Sequence, residues 1–409
     1  MGGSGLSRRG LLKGGLGLGA LAGLAPALSA CSDRPIAAGG AIGTLPRPDS
    51  PVTWPVYPGN AAIPSGLEPE RNATLKLFNW VAYINRAVVK NFEKKYNCTV
   101  DITTFNTMDE ALTKLSTGDL DFDILVPTID VLGQLVAAKQ IRPLNHSYIP
   151  NISQAWSTFT NPFYDQHWRY TVPYTIYTTG IAWRNDHVPG SPAKFANPWD
   201  FLWQGQYKGK VAILDDYRES MSLGLMKNGV TDLNTTDVKE LKAAEQSLLD
   251  LTSLTNVHID NNDYTNIPSG QMWIHHAWSG DMAAAEWYMP KGVPVEVVSY
   301  WFPADGRGPV ANDTLTILAG GKNPVLAHLF LNYLLDLDTA LENISWNGYM
   351  QPIHGVTPQR LVQEKILPPS LTSTVVLESN FIRGLRELQL PAPSKAVWQQ
   401  LWLEVSKGV

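Results

Sequence analysis

The sequence predicts an α/β fold of two lobes, and two observations point to it. Between residues 74 and 126, short apolar runs alternate with helical periodicity in the order strand, helix, strand, helix, strand. This order is typical of a parallel sheet covered by helices. A second series of strands and helices begins after Pro173. Residues 74–409 are more than one hydrophobic core usually holds, so a second lobe is expected.

The first series predicts three strands and two helices. Asn85 stands where a side-chain cap for the first helix is expected, and Gly118 stands where the second helix is expected to stop. The apolar face of the first helix consists of Val88, Val89, Phe92 and Tyr96. The predicted strands cover residues 75–79, 100–104 and 122–126, and the second helix covers residues 108–117.

The second series is longer and ends in a helical tail. Its predicted strands cover residues 180–184, 211–214, 272–276 and 315–318. Its predicted helices cover residues 220–227, 238–251 and 325–335. The sequence contains no internal repeat, phosphate-binding loop or coiled-coil heptad.

The first 31 residues read as an export signal. Residues 7–13 match the twin-arginine pattern S-R-R-x-[FL]-L-K, and Leu28, Ser29 and Ala30 precede Cys31 as in a lipobox. A membrane-spanning helix needs about 20 strongly apolar residues, whereas this apolar run is short and rich in Gly and Ala. We expect residues 1–30 to be removed and Cys31 to carry the lipid. The protein is then tethered outside the cytoplasmic membrane and exported already folded.

Residues 31–73 are rich in Pro and Gly and predict a stiff linker. Its part 52–66 is expected to lie along the folded body, because exposing Trp54, Tyr57 and Ile63 is costly.

The charge of the mature chain argues against a nucleic-acid partner. Loss of the signal leaves 29 Lys and Arg against 37 Asp and Glu, a net charge of about −8. If Cys31 is acylated, Cys98 is alone and no disulfide forms.

Aromatic rings and carboxylates follow the predicted strands. Ligands of open parallel sheets bind beyond the carboxyl ends of the strands. Arg218 is the only basic residue of the set, and Asp215 is the candidate helix cap. Carboxylates in a closed cleft need a cation, and aromatic faces bind ammonium-bearing chains, so the set favours an alkyl diamine or polyamine. The other members are Trp80, Tyr83, Thr128, Asp130, Asp216, Glu219, Trp278, Asp281 and Asp313.

Four motifs in this order resemble the spermidine/putrescine-binding proteins of ABC importers. They are F-N-W-x-x-Y at 78–83, D-I-L-V-P-T at 123–128, D-D-x-R-E at 215–219 and W-S-G-D at 278–281. The resemblance covers residues 75–355 and implies a two-lobed, periplasmic-binding-protein-like fold of type II with two crossover hinge strands. It implies a first lobe of 74–174 and 310–350 and a second lobe of 175–309 and 351–409. Hinges are expected near 173–178 and 306–312.

The resemblance also implies roles for these residues. Trp80 and Tyr83 would touch the solute from the first lobe, Trp278 would be the stacking platform, and Thr128 would supply a hydroxyl. Two departures leave the exact amine open: Ala311 replaces a usual Trp or Phe, and Asp130 stands where a Tyr can occur. The carboxylates on the amines would be Asp216, Glu219, Asp281 and Asp313, with Tyr349 from the stretch G-Y-x-x-P.

The resemblance implies a receptor that works without a cofactor. The expected partners are a polyamine or related cationic amine, a permease with its ATPase, and the membrane through the lipid anchor. The chain is expected to be a monomer.

Other functions find less support in the sequence. A metal site at His275 and His276 is disfavoured, because no third ligand stands at metal spacing and strand alternation sends the two to opposite faces. Catalytic motifs of hydrolases and phosphate enzymes are absent, and Cys98 lies in a predicted turn away from the strand ends. A receptor of the same fold for another cationic amine or small solute stays as the alternative, and a secreted glycoside hydrolase using two carboxylates is the less favoured one. Receptors for ferric iron favour adjacent tyrosines and receptors for anions favour Arg and backbone amides, and the candidate residues emphasise neither. The expectation is that the protein is not an enzyme.

Overall fold

A computed structural model describes residues 45–117 and 121–407. The predicted signal, Cys31, the start of the linker and Gly118 lie outside the described residues. The strands are β1 (Thr74–Trp80), β2 (Thr99–Phe105), β3 (Ile124–Leu125), β4 (Ile141–Arg142), β5 (Thr171–Arg184), β6 (Val211–Ile213), β7 (His258–Ile259), β8 (Ile274–Trp278), β9 (Val298–Trp301) and β10 (Val310–Leu318). The helices are α1 (Arg86–Tyr96), α2 (Met108–Ser116), α3 (Leu132–Ala137), α4 (Tyr217–Lys227), α5 (Val238–Thr255), α6 (Asp263–Ser269), α7 (Ser279–Ala283), α8 (Pro324–Leu334), α9 (Leu337–Asn347), α10 (Pro358–Gln363), α11 (Glu378–Arg383) and α12 (Ala392–Lys407).

Two long antiparallel strands join the two halves of the sheet. The strand order is β2-β1-β3-β10-β5-β8-β6-β7, with β4 on β10 and β9 on β5. In one half β1 pairs parallel with β2 and β3, and in the other β6 pairs parallel with β7 and β8. Strand β5 pairs with β10 up to Thr178 and with β8 and β9 from Thr179 onwards. The predicted two-lobed α/β fold with two crossover strands is confirmed.

The predicted bounds of the crossover strands are wrong. β5 begins at Thr171 instead of 180, and β10 begins at Val310 instead of 315. β5 carries Pro173 and several threonines, of which Thr171, Thr175, Thr178 and Thr179 are buried. Thirteen of the 14 residues of β5 are buried whatever their polarity, so buried threonines interrupt the apolar run by which such a strand is predicted.

A third predicted strand is also displaced, since β8 covers Ile274–Trp278 instead of 272–276. Trp278 is therefore the last residue of a strand. The cap of α1 is confirmed: the Asn85 side chain accepts a hydrogen bond from the Ala87 N–H. The bounds of the remaining predicted helices and strands shift by a few residues at either end.

The linker segment 52–66 lies along the first lobe, as its apolar residues predict. Trp54 and Ile63 are buried, and the Trp54 indole N–H donates to the carbonyl of Tyr164 at 2.7 Å. The Asn60 amide donates to the carbonyl of Ile141 at 2.8 Å. These contacts fasten the segment to the folded body.

The C-terminal helix α12 belongs to the core of the second half. Trp398, Leu401, Trp402 and Val405 pack with β6, α4 and α5 in one buried cluster. Within the described residues, no helix is both long and apolar enough to cross a membrane.

Candidate functional site

A cleft opens where the two crossover strands pass between the halves of the sheet. It has two connected parts that share Trp80, Tyr177 and Trp278. We call the first the aromatic compartment; it has a volume of about 350 Å³ and is lined by Tyr83, Asp281, Asp313 and Tyr349. We call the second the acidic compartment; it has a volume of about 480 Å³ and is lined by Thr128, Asp130, Asp216, Glu219 and Glu387. All ten residues singled out in the sequence thus line one cleft.

Tyrosines position the carboxylate of Asp313 in the aromatic compartment. The Tyr83 hydroxyl donates to Asp313 Oδ2 at 2.6 Å, and Asp313 Oδ1 is buried without a hydrogen-bond partner. The rings of Tyr83 and Tyr349 meet edge to face, with centroids 4.7 Å apart, and Tyr177 meets Tyr349 at 5.7 Å. Asp313 itself lies inside β10, where the register with β5 shifts between Asp313 and Thr314.

Two glycines allow Tyr349 to reach the cleft. A Cβ atom on Gly280 would lie 2.4 Å from Tyr349 Cγ, and one on Gly348 would lie 2.0 Å from the carbonyl oxygen of Gly280. Gly348 also has φ of +74°, which side chains with a Cβ rarely adopt. The Gly of the W-S-G-D motif is therefore explained by close packing against a tyrosine far away in the sequence.

Asp281 faces a second carboxyl group that the sequence did not reveal. Asp263, the first residue of α6, is fully buried, accepts the backbone N–H of Trp278 at 3.0 Å on Oδ2, and leaves its Oδ1 without a hydrogen-bond partner. Burial followed by the charge of Asp281 raises the pKa of Asp263 well above its usual range. Burial also raises the pKa of Asp281 to about 6. The pair therefore holds a proton where a cation is absent.

The expected helix cap is wrong by one residue. Asp216, and not Asp215, caps α4: its Oδ1 accepts the backbone N–H groups of Arg218 and Glu219 at 2.8 and 3.2 Å. Asp215 is exposed beside it, and its backbone N–H donates to Asn261. Asp216 has the extended backbone of an N-cap, with φ −140° and ψ 126°. Capping and facing the cleft are therefore combined in one carboxylate.

Glu219 is held on one oxygen and left unpartnered on the other. Its Oε1 accepts the indole N–H of Trp278 at 2.7 Å and the hydroxyl of Thr179 at 3.0 Å. Its Oε2 is buried without a hydrogen-bond partner. Burial first, then the charges of Glu387 and Asp216, raise the pKa of Glu219 well above its usual range.

Arg218 lines the acidic compartment, but its guanidinium hydrogen bonds go to neutral groups of the protein and not to the cleft carboxylates. Its guanidinium donates to the carbonyls of Leu388 and Leu233 at 2.8 and 2.9 Å and to Asn234 Oδ1 at 2.8 Å. It also lies 4.8 Å from the centre of the Trp398 ring. The residue fastens the C-terminal segment to the second half of the fold.

The first-lobe side of the acidic compartment contains the two departures from the motif pattern. The Thr128 hydroxyl donates to Asp130 Oδ1 at 2.5 Å, which turns Asp130 towards the cleft wall. Thr128 also bridges to Asp313 of β10, so the two compartments adjoin. Ala311 lines the acidic compartment and adds only a methyl group there.

Tyr177 and Glu387 are among the cleft residues that the sequence analysis did not single out. Tyr177 lies inside β5, which was not predicted at that point, and Glu387 lies in the irregular segment between α11 and α12. Burial raises the pKa of Glu387 to about 7, against the opposing charge of Arg218. Glu387 has no motif around it. Its acidic side chain, between Arg386 and Leu388, is the only feature of the sequence that could have drawn attention to it.

The two histidines and the cysteine that could suggest a metal site or a nucleophile do not line either compartment. His275 and His276 are fully buried, and Cys98 lies between α1 and β2, away from both compartments, with a pKa that burial raises to about 11. In residues 45–117 and 121–407, no group of three or more His, Cys, Asp or Glu is arranged to hold a metal ion.

Comparison with known proteins shows that the chain is similar in sequence to periplasmic amine-binding proteins. The spermidine/putrescine-binding periplasmic protein of Escherichia coli (strain K12) is 29% identical over 316 residues, which is 76% of this chain and 85% of the relative. The putrescine/cadaverine-binding protein of Pseudomonas aeruginosa is 26% identical over 337 residues, 81% of this chain and 93% of the relative.

A solved structure shares the fold. The crystal structure of a lipoprotein of Treponema pallidum superposes with a TM-score of 0.68 at 22% identity, and covers 81% of this chain and 99% of that one. The family model described as bacterial extracellular solute-binding protein matches residues 87–368, more than half of the chain. A cleft between two lobes, joined by two crossover strands and matched over this length, means that the chain belongs to the bacterial extracellular solute-binding protein family.

Proposed function

We propose that this protein is the extracytoplasmic receptor of an ABC importer and that it binds a polyamine in the cleft. The observation that carries this proposal is the pairing of aromatic rings with carboxylates that have no cationic partner. Asp313 Oδ1 and Glu219 Oε2 are buried without hydrogen bonds at the two compartments, with Trp80, Tyr177 and Trp278 between them. A molecule with cationic ends and an apolar middle matches this arrangement.

The energies agree with such a ligand. A charge-assisted hydrogen bond contributes roughly 1.5–3 kcal/mol, and a buried methylene contributes about 0.8 kcal/mol. Micromolar affinity requires about 8 kcal/mol after ordering costs. Two ammonium contacts with four to seven methylenes reach this value, whereas either class of contact alone falls short. The ligand-contacting residues in this proposal are Trp80, Tyr83, Thr128, Asp130, Asp216, Glu219, Trp278, Asp281, Asp313 and Tyr349.

A titration of the purified protein with putrescine, cadaverine, spermidine, spermine and agmatine tests the proposal. We expect saturable 1:1 binding in calorimetry, a raised melting temperature and recovery of the amine unchanged, as for a receptor and not an enzyme. Asp313→Ala and Asp216→Ala should each weaken binding about tenfold or more, since each removes a charge-assisted contact. Wild-type affinity of both variants for every amine would move the site elsewhere, and no binding by the wild type would refute a polyamine ligand.

We infer that the protein is held at the membrane through Cys31 and delivers its solute to a permease with its ATPase. The lipobox before Cys31 and the extracellular family support the location. Cys31→Ala should release the protein from the membrane fraction, with Cys98→Ala as the matched control. A variant that keeps residues 1–30 and still sediments with membranes would contradict the anchor. Export by the twin-arginine route predicts that Arg8→Lys with Arg9→Lys leaves the precursor inside the cell.

A further inference from the structure

We propose that a pocket between the linker and the first lobe binds a phosphate group, at a site separate from the amine cleft. The pocket has a volume of about 170 Å³ and is lined by residues 58–61 of the linker, Lys139, Arg142 and Ala319. It shares no lining residue with either compartment of the cleft. A cavity needs about 10–15 Å³ to hold one water molecule, so this pocket has room for a small ligand. The inference does not depend on the proposed amine-binding function.

The linker forms one wall of the pocket as a tight turn. The N–H of Asn60 donates to the carbonyl of Tyr57 at 3.0 Å, and Gly59 has φ of +80°. Pro58 and Gly59 thus stand at the two central positions of a turn that favours Pro followed by a residue with positive φ. The Asn60 side chain is buried and donates to the carbonyl of Ile141 at 2.8 Å, which fastens the turn to β4. The wall is therefore held in place without a ligand.

Arg142, on β4, brings a positive charge to the pocket. Its Nη2 donates to the carbonyl oxygen of Ala319 at 3.0 Å, and its Nε is buried without an acceptor. A carbonyl oxygen is neutral, so this contact positions the guanidinium and leaves its charge in place. Among residues 45–117 and 121–407, Arg142 has no carboxylate partner.

Lys139, just after α3, places a second cation at the pocket. Its Nζ lies 5.2 Å from the centre of the Tyr57 ring, so the ammonium stays beside the linker turn. In the part of the chain that the structure describes, it also forms no ion pair.

The carboxylates beside the turn that follows Ala319 are already engaged. Asp121 forms an ion pair with Lys322. Both oxygens of Asp123 accept N–H groups, from the backbone of Lys76 and from the backbone and side chain of Asn323. Neither carboxylate lines the pocket.

Two cations that lack carboxylate partners favour an anion in the pocket. They stand out in a mature chain with an expected net charge of about −8. The planar guanidinium fork and the compact ammonium are the side-chain groups that proteins use to bind phosphate. A phosphate held by Arg142 and Lys139 would also contact the linker turn and tie it to the first lobe. A soluble phosphate ester and the headgroup of a phospholipid both supply this group.

Calorimetry with inorganic phosphate, glycerol 3-phosphate and dihexanoyl phosphatidylglycerol, a lipid short enough to stay dissolved, tests the inference and separates the sources. We expect saturable 1:1 binding in about 0.15 M NaCl. Tightest binding of the lipid would assign the pocket to the membrane, and tightest binding of either other compound to a soluble phosphate. Arg142→Gln should weaken binding about tenfold or more, since it removes a charge-assisted contact. Bound phosphate should also slow amide hydrogen exchange at residues 59–61.

Arg86→Gln, the same change at an exposed position of α1, is the matched control and should leave phosphate binding unchanged. Lys139→Asn removes the second charge, suits the positive φ at this position and serves if Arg142→Gln does not fold. Neither pocket variant should change the affinity for spermidine, so the pocket and the amine cleft are tested independently.

Three results would overturn the inference. One is that none of the three compounds binds. Another is that binding disappears in about 0.15 M NaCl, as expected of unspecific attraction between exposed charges. The third is that the wild type, Arg142→Gln and Lys139→Asn bind phosphate equally well.

Discussion

The carboxylates of Asp216, Glu219 and Asp313 each accept hydrogen bonds on one oxygen and differ in what surrounds the other. Asp216 gives its Oδ1 to two backbone N–H groups, whereas Glu219 and Asp313 accept from side chains and bury their second oxygen unpartnered. A buried acceptor without a donor costs about 1–3 kcal/mol. These two oxygens are therefore the places where a donor from outside the protein contributes most.

Binding of a cation is expected to release protons. Burial raises the pKa of Asp313 to about 7 and that of Asp281 to about 6, so both are partly protonated between pH 5 and 7. A bound ammonium favours their ionised forms, and affinity should rise with pH across this window. Calorimetry at pH 6.5 in two buffers of different ionisation enthalpy measures the release. Asp313→Asn should reduce it, and pH-independent affinity would contradict the prediction.

The raised pKa values of Asp281 and Asp313 also affect stability. Their effect on its pH dependence is opposite to that of a carboxylate whose pKa falls on folding. Because the folded-state pKa values lie above the unfolded value of about 3.9, the unfolded chain loses these protons first as pH rises. The free energy of unfolding of the ligand-free protein should therefore fall between about pH 4 and pH 7. A saturating amine should raise the melting temperature more at pH 7.5 than at pH 5.

Side chains in short motifs were predictable from the sequence, and isolated ones were not. Trp80, Asp216 and Asp281 stand at strand ends or helix starts, which the apolar pattern locates within a few residues. Glu387 depends on the path of an irregular segment that crosses back to the second lobe, where Leu385 pairs with Pro309. No local pattern encodes that path.

At the scale of elements, α4 links stability to recognition through its cap. Asp216→Asn keeps an oxygen acceptor for the backbone N–H groups and removes the charge, whereas Asp216→Ala removes both. We expect Asp216→Asn to weaken amine binding about tenfold with little change in melting temperature. We expect Asp216→Ala to weaken binding at least as much and to lower the free energy of unfolding by about 1 kcal/mol. Urea unfolding with calorimetry separates the two effects. Equal stability of Asn and Ala variants would mean that the cap contributes nothing.

Helices and strands that bury only one face were predictable from the sequence, whereas the crossover strands β5 and β10 were predicted only in part. α1 shows helical spacing of apolar residues and a visible cap, since one side packs on the sheet and the other meets solvent. β5 and the start of β10 are covered from both sides and carry buried Thr and Asn, including Asn312, whose amide donates to the Tyr164 hydroxyl at 3.1 Å. Their periodicity is therefore absent from the sequence.

At the scale of the molecule, α12 touches the first lobe across the mouth of the cleft. Asp109 of α2 accepts from Lys395 at 3.3 Å and from Gln399 at 3.0 Å. We expect this contact to favour closure of the two lobes about the crossover strands. Asp109→Ala should then increase the radius of gyration of the ligand-free protein in X-ray scattering, and bound amine should restore it.

The effect on closure should be modest, because exposed ion pairs contribute about 0–1 kcal/mol. Asp121→Ala is the matched control, since its ion pair with Lys322 lies within the first lobe. Unchanged scattering of the Asp109 variant, with and without ligand, would contradict a role for α12 in closure.

The crossover topology also governs the order in which the chain can fold during synthesis. Leu125 of β3 pairs with Thr316 of β10, and the chain between them contains β5 to β9. The sheet of the first lobe is therefore incomplete until residue 318 has left the ribosome, because β3 and β4 both pair with β10. Contacts so distant in sequence make folding slow and leave apolar surface exposed meanwhile. We expect the twin-arginine route predicted from residues 7–13, which exports finished folds, to let such a chain complete its slow folding before it leaves the cytoplasm.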